Sequence, residues 1–144
     1  MTRQNWEMAA QAFEKAILAF SYKAETHHDL AVAYFRMGRL DLSEKHFKEA
    51  VRLNPGHYKT YYNLGVLYTK KGMLEDAVHA YQKAITFSTG DLKLHLTLGT
   101  LLEDLGKQGE AVEHYRLVAE QAGKGEEGLS AEAVRNLERL KNIR

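Results

Sequence analysis

Residues 64–85 read LGVLYTKKGMLEDAVHAYQKAI, two apolar-patterned stretches on either side of Gly72. Leu64, Leu67 and Tyr68 precede Gly72, and Ala77, Val78, Tyr81 and Ile85 follow it. Each set falls on one face of a helix with 3.6 residues per turn. Glycine enters the left-handed conformation that ends a helix at no steric cost, so Gly72 marks where the first helix stops and the chain turns. The stretch is predicted to be a helix, a turn and a second helix.

The pattern recurs 34 residues away in both directions, which makes it the frame of the chain. Gly38 and Gly106 fall on the column of Gly72. The same shift aligns Leu30, Leu64 and Leu98, then Ala31, Gly65 and Gly99, then Tyr34, Tyr68 and Leu102. After the glycine come Leu40, Leu74 and Gln108, then Ser43, Ala77 and Ala111, then Phe47, Tyr81 and Tyr115, and last Ala50, Ala84 and Val118. One period earlier, Trp6, Ala9, Phe13, Ala16 and Ile17 precede Leu40, Ser43, Phe47, Ala50 and Val51. The expected organisation is one domain: a half unit over 1–23, whole units over 24–57, 58–91 and 92–125, and a tail over 126–144. Pro55 stands where the second helix of the first unit must end. Thr89-Gly90-Asp91 and Gly123-Lys124-Gly125 hold the matching places later on. Ala31 is expected to face Ser43, Gly65 to face Ala77 and Gly99 to face Ala111, so that paired helices approach closely. Tyr34, Phe47, Tyr68, Tyr81 and Tyr115 would fill the space around those contacts.

A 34-residue helix-turn-helix with small, aromatic and glycine columns resembles the tetratricopeptide repeat (TPR). The likeness is densest in the first two units, at Leu30, Ala31, Tyr34, Gly38, Leu40, Phe47, Ala50 and Pro55 and their counterparts. The third unit departs from it at Leu102, Gln108 and Val118, and His27, Tyr61 and His95 hold the place of the usual early aromatic. The resemblance implies an all-α, right-handed helical solenoid of such repeats, closed by a C-terminal capping helix. For that cap Ser130 is the expected N-cap, with Leu129 and Val134 spaced as a hydrophobic staple. Ala133, Leu137 and Leu140 form its apolar stripe, and Glu132, Arg135, Glu138 and Arg139 its outer face.

Composition removes several function classes. With 144 residues, 20 Lys and Arg against 19 Asp and Glu, and a net charge of +1, no basic stripe for nucleic acid or anionic membrane dominates the chain. There is no cysteine, hence no disulfide, thiolate metal site or thiol nucleophile. No window approaches the roughly 18 apolar residues of a membrane span, and the N-terminus lacks a signal-peptide pattern, so a cytoplasmic location is expected.

Chemical motifs are few. Gly123-Lys124-Gly125-Glu126-Glu127-Gly128 matches the dinucleotide-binding G-x-G-x-x-G in letters, but follows a helical segment where that site needs a strand. The seven histidines form no H-x-x-x-H pair, and His27 with His95 shares the packing column of Tyr61. His46, His79 and His114 fall on second helices without an implied acid–base constellation. No catalytic residue, metal or cofactor is expected, and the chain is not expected to be an enzyme.

The resemblance places a partner segment in the groove lined by the first helix of each unit. Carried over by the repeat frame, the lining is His28, Val32, Phe35 and Arg36 in the first unit, Lys59, Tyr62, Asn63, Val66 and Lys70 in the second, and Lys93, Leu96 and Thr97 in the third. Aromatic and apolar residues beside cations on a face that solvation would make polar point to an interface with a protein or peptide. The cations would favour an acidic or C-terminal segment of the partner, and Asn63 a backbone amide. Of the carboxylate clamp of chaperone-binding relatives only Asn63 and Lys93 are present, since His28, Val32 and Thr97 replace its remaining lysine, asparagine and arginine. Asp29, Asn63 and Thr97 do not make the asparagine ladder of relatives that glycosylate proteins. A competing expectation concerns the half unit, whose Trp6, Phe13 and Ile17, with Met8, Leu18 and Phe20, would present an apolar face to a second copy, as in a self-assembling scaffold.

Overall fold

The repeat glycines set the first helix ends. In the computed structural model, which describes residues 2–19, 23–88 and 90–142, α2 (Ala24–Arg36), α4 (Tyr58–Lys71) and α6 (Leu92–Asp104) each run up to the turn made by Gly38, Gly72 or Gly106. These glycines have φ of 76°, 74° and 74°. Beyond each, the next amide donates back to the carbonyl six residues upstream by inclusive count: Arg39 to Tyr34 at 2.9 Å, Met73 to Tyr68 at 2.9 Å and Lys107 to Leu102 at 2.8 Å. The same Schellman closure thus ends all three helices. The second helices follow: α3 (Leu40–Leu53), α5 (Leu74–Phe87) and α7 (Gln108–Gln121). α3 stops just before Asn54-Pro55, where the Gly56 amide donates to Asn54 Oδ1 at 3.2 Å. α1 (Arg3–Ala19) precedes them and α8 (Glu127–Asn142) ends the chain. Among the described residues there is no strand, and no helix is long and apolar enough to cross a membrane. Phe20 and Thr89 lie outside the described residues.

The helices fall into two compact units, Met1–Phe87 and Ser88–Arg144. In the first, α2 pairs with α3 and α4 with α5, while α1 packs on α2 and α3 on α4. Its core holds Leu30, Ala31, Phe47, Leu67, Ala77 and Tyr81. Ser43 sits against the backbone of Ala31, and its Oγ donates to the Ala31 carbonyl at 2.8 Å, as the pairing of small residues requires. At Gly65 the nearest side chain is that of Tyr81: a Cβ there would stand 2.6 Å from the ring. The small residue makes room for the aromatic one turn further along the partner helix.

In the second unit α6 pairs with α7, and α8 packs on both. Tyr115, Leu98, Leu102, Val118 and Ala133 are fully buried there, and Gly99 again lies under an aromatic ring, that of Tyr115. α8 begins at Glu127, three residues before the expected cap at Ser130. The Glu126 carbonyl accepts from the amides of Leu129 and Ser130, at 2.9 and 3.1 Å, and so starts the helix itself. Ser130 is therefore inside the first turn, and Val134 is exposed rather than stapled. The expected stripe holds: Ala133 and Leu140 are buried, and Glu132, Arg135, Glu138 and Arg139 face solvent. Arg139 donates to Glu103 on α6 at 2.8 Å, tying the last helix to the first of its unit.

Candidate partner-binding groove

α2 and α4 are first helices of successive repeats, and side chains one helical turn apart on each meet across the gap between them. Val32, Phe35 and Arg36 from α2 face Tyr62, Asn63 and Val66 from α4 around a cavity of about 350 Å³. Phe47 of α3 forms its floor. Six of the residues named from the repeat frame thus line one concavity of the first unit. Val32, Phe35, Tyr62 and Val66 are half-buried, so each keeps apolar surface to offer. Tyr62 is held by the edge of Tyr81, with ring centroids 5.7 Å apart. Lys70 Nζ lies 5.2 Å from the centre of the Phe35 ring, within cation–π range, and Arg36 stands over Trp6 at 6.0 Å. Among the described residues neither Lys70 nor Arg36 nor Lys59 has a carboxylate in ion-pair contact.

One turn before Val32 the polar groups are already engaged. The fully buried Thr60 hydroxyl lies 2.8 Å from His28 Nδ1 and 2.6 Å from His57 Nδ1. A hydroxyl has one hydrogen, so it donates to one imidazole and accepts from the other. Asn63 Nδ2 reaches His28 Nε2 at 3.5 Å. Burial, and next the neighbouring His57, push the His28 imidazole below its ordinary pKa, with Lys59 acting in the same direction. His28 is therefore a neutral strut that orients Asn63, while Asn63 keeps an edge on the cavity.

Other expected site residues lie elsewhere. Lys93, Leu96 and Thr97 belong to α6 of the second unit. Lys93 is exposed, Thr97 donates its hydroxyl to the Lys93 carbonyl at 2.9 Å, and Leu96 is only 6% exposed, which leaves it little surface to offer a partner. Trp6, Phe13 and Ile17 do not stand open either. They pack, half-buried, against Ala10, Leu30, Ala33 and Tyr34, because α1 turns its apolar stripe onto α2. The exposed large apolar side chains of α1 are Met8 and Leu18. Gly123–Gly128 lies between α7 and α8 with no strand before it, and its last glycine is already helical.

Three features escaped the repeat reading. Phe47, assigned to the core, also floors the cavity. Thr60 holds two imidazoles, which no column pattern announces. The packing histidines are paired: His27 Nδ1 lies 3.1 Å from His46 Nδ1, and His95 Nδ1 lies 2.9 Å from His114 Nδ1. The signal for these pairs was in the sequence, as a spacing of 19 residues kept in the first and third units. No group of three metal-ligating side chains gathers among the described residues.

The tetratricopeptide-repeat pattern matches residues 22–90 and again residues 92–124. The chain belongs to the TPR family. No curated protein matches it. Solved structures share its fold. A MamA structure superposes with a TM-score of 0.77 at 22% identity, over 96% of this chain and 88% of that one. MamA 41-end from Desulfovibrio magneticus RS-1 gives 0.73 at 22%, over 81% and 66%. The Yersinia enterocolitica type III secretion chaperone SycD, in complex with a peptide of the translocator YopD, gives 0.73 at 22%, over 83% and 92%. At such identity the likeness establishes the TPR fold alone.

Proposed function

We propose that this chain is a non-catalytic protein-interaction module that holds a segment of a partner protein in the groove between α2 and α4. The cavity of about 350 Å³ carries the reading. It offers contiguous apolar and aromatic surface from Val32, Phe35, Tyr62 and Val66, with Arg36 and Asn63 in the same lining. Apolar side chains of a partner would leave water there, at about 25 cal/mol for each Å² buried. Asn63 would hydrogen-bond the partner's backbone. Lys70, Arg36 and Lys59 favour an acidic or C-terminal stretch, since no carboxylate among the described residues is in ion-pair contact with them. SycD, of the same fold, was solved with a peptide, which supports a peptide as occupant. The lining offers no paired acid and base with which to catalyse a reaction.

A peptide array probed with the whole chain tests this. Acidic sequences containing bulky apolar residues are expected to bind, and Tyr62→Ala with Val66→Ala is expected to weaken them at least tenfold while helical circular dichroism stays unchanged. Equal binding by the folded double variant sinks the groove assignment.

A further inference from the structure

The two histidine pairs occupy equivalent places in different units. His27 on α2 meets His46 on α3, and 68 residues later His95 on α6 meets His114 on α7. The rings lie 5.3 and 5.2 Å apart by their centroids, and His27 and His95 are each only 6% exposed. The middle repeat carries Tyr61 and Ala80 at the same two positions, and Tyr61 stacks on Phe87 instead.

At a separation of about 3 Å two facing Nδ1 atoms hold one hydrogen between them, one nitrogen donating and the other accepting. Each pair therefore clips a first helix to its second helix only while the acceptor ring is neutral. A proton taken up on the acceptor's Nδ1 would set N–H against N–H, and a second proton on the pair would place two positive rings in contact. We propose that the His27–His46 and His95–His114 contacts are acid-sensitive latches that hold α2 to α3 and α6 to α7 near neutral pH and release them on acidification.

The surroundings do not cancel this. Glu14 of α1 and Glu49 of α3 face the first pair and favour its protonation, while Lys45 opposes it. Glu14 also accepts the Tyr34 hydroxyl, whose ring stacks on His46. Glu110 and Glu113 of α7 face the second pair and favour its protonation. Burial first, and then the partner histidine, nevertheless hold both His46 and His114 below their ordinary value. In the unfolded chain the same groups take a proton near about 6.5. The unfolded state then binds more protons in mild acid, and the stability present above that value declines as the pH falls through it. No third ligand stands by to make either pair a metal site among the described residues.

Two measurements on the full chain test the latches. Long-range proton–nitrogen NMR at about pH 7.5 is expected to find, in each pair, one ring carrying hydrogen on Nδ1 and the other with a bare Nδ1. All four rings protonated only on Nε2 would overturn the proposal. The second measurement grafts the middle repeat's residues onto both pairs as His27→Tyr, His46→Ala, His95→Tyr and His114→Ala. Between about pH 7.5 and about 5.5 the native chain's thermal midpoint is expected to fall on the order of 5 °C further than the variant's. His28 is common to both and contributes equally. An identical fall in the folded variant overturns the latches, and the NMR result decides the matter if that variant does not fold.

Discussion

A methyl group added to Gly65 would stand 2.6 Å from the Tyr81 ring, and one added to Gly99 would stand 2.7 Å from that of Tyr115. Two effects oppose each other in Gly65→Ala. Alanine is the better helix former by about 1 kcal/mol, and Gly65 is inside α4. The ring it would strike is 3% exposed and has nowhere to retreat, so overpacking of about 1–3 kcal/mol wins. Urea denaturation of Gly65→Ala is expected to show a net loss of about 1–2 kcal/mol. A neutral or stabilising result would mean that the ring swings aside. The repeat columns disclosed that the residue must be small, and they pointed to Ala77 as its neighbour. They also set Tyr81 around that contact, but could not disclose that its ring lies directly against Gly65, because column spacing fixes a residue's face of the helix and not its rotamer. The same limit hid Phe47 beneath the groove and Thr60 between two imidazoles.

Helices are joined by charges that no 34-residue column records. Lys71 at the end of α4 reaches Asp41 at 2.9 Å and Glu44 at 2.6 Å on α3, and Lys48 approaches Glu44 at 2.7 Å. The Tyr68 hydroxyl donates to the same carboxylate at 3.3 Å. Burial alone would raise the Glu44 carboxyl, but hydrogen bonds from Lys48 and Lys71 outweigh it and hold the group at about 2. Its folded pKa is thus depressed, so its stabilisation is present above the unfolded value of about 4.3 and is lost as pH falls toward about 2. Glu44→Gln is expected to cost about 1–2 kcal/mol at neutral pH, since the group is mostly shielded from solvent. The difference from the native chain is expected to shrink in acid melts below about pH 4. A constant difference across that range would show that Glu44 acts through packing alone. Apolar spacing made the α3 and α4 helices legible. Their clasp joins residues 27 and 30 apart, so it became visible only once the helices were folded together.

The net charge of +1 conceals two units of opposite sign. Residues 1–87 hold twelve Lys and Arg against nine Asp and Glu, for +3, and residues 88–144 hold eight against ten, for −2. The proposed groove belongs wholly to the positive unit, and Lys70 and Arg36 are the charges most directly beside its aromatic wall. An acidic segment bound there would gain from charges screened over about 8–10 Å at ordinary ionic strength. Raising salt from about 50 mM to about 500 mM is therefore expected to weaken an array-selected acidic peptide severalfold, by titration calorimetry. Lys70→Gln removes one such charge near the peptide, so affinity at low salt is expected to fall about three- to tenfold and the salt dependence to flatten. Lys124→Gln, in the exposed turn before α8, keeps the first unit's charge intact and is expected to change neither quantity. If Lys70→Gln and Lys124→Gln behave alike, the overall field steers the peptide. If only Lys70→Gln responds, the charge acts locally at the groove. Affinity indifferent to salt in the native chain would remove the acidic character from the partner and leave its apolar side chains to carry recognition.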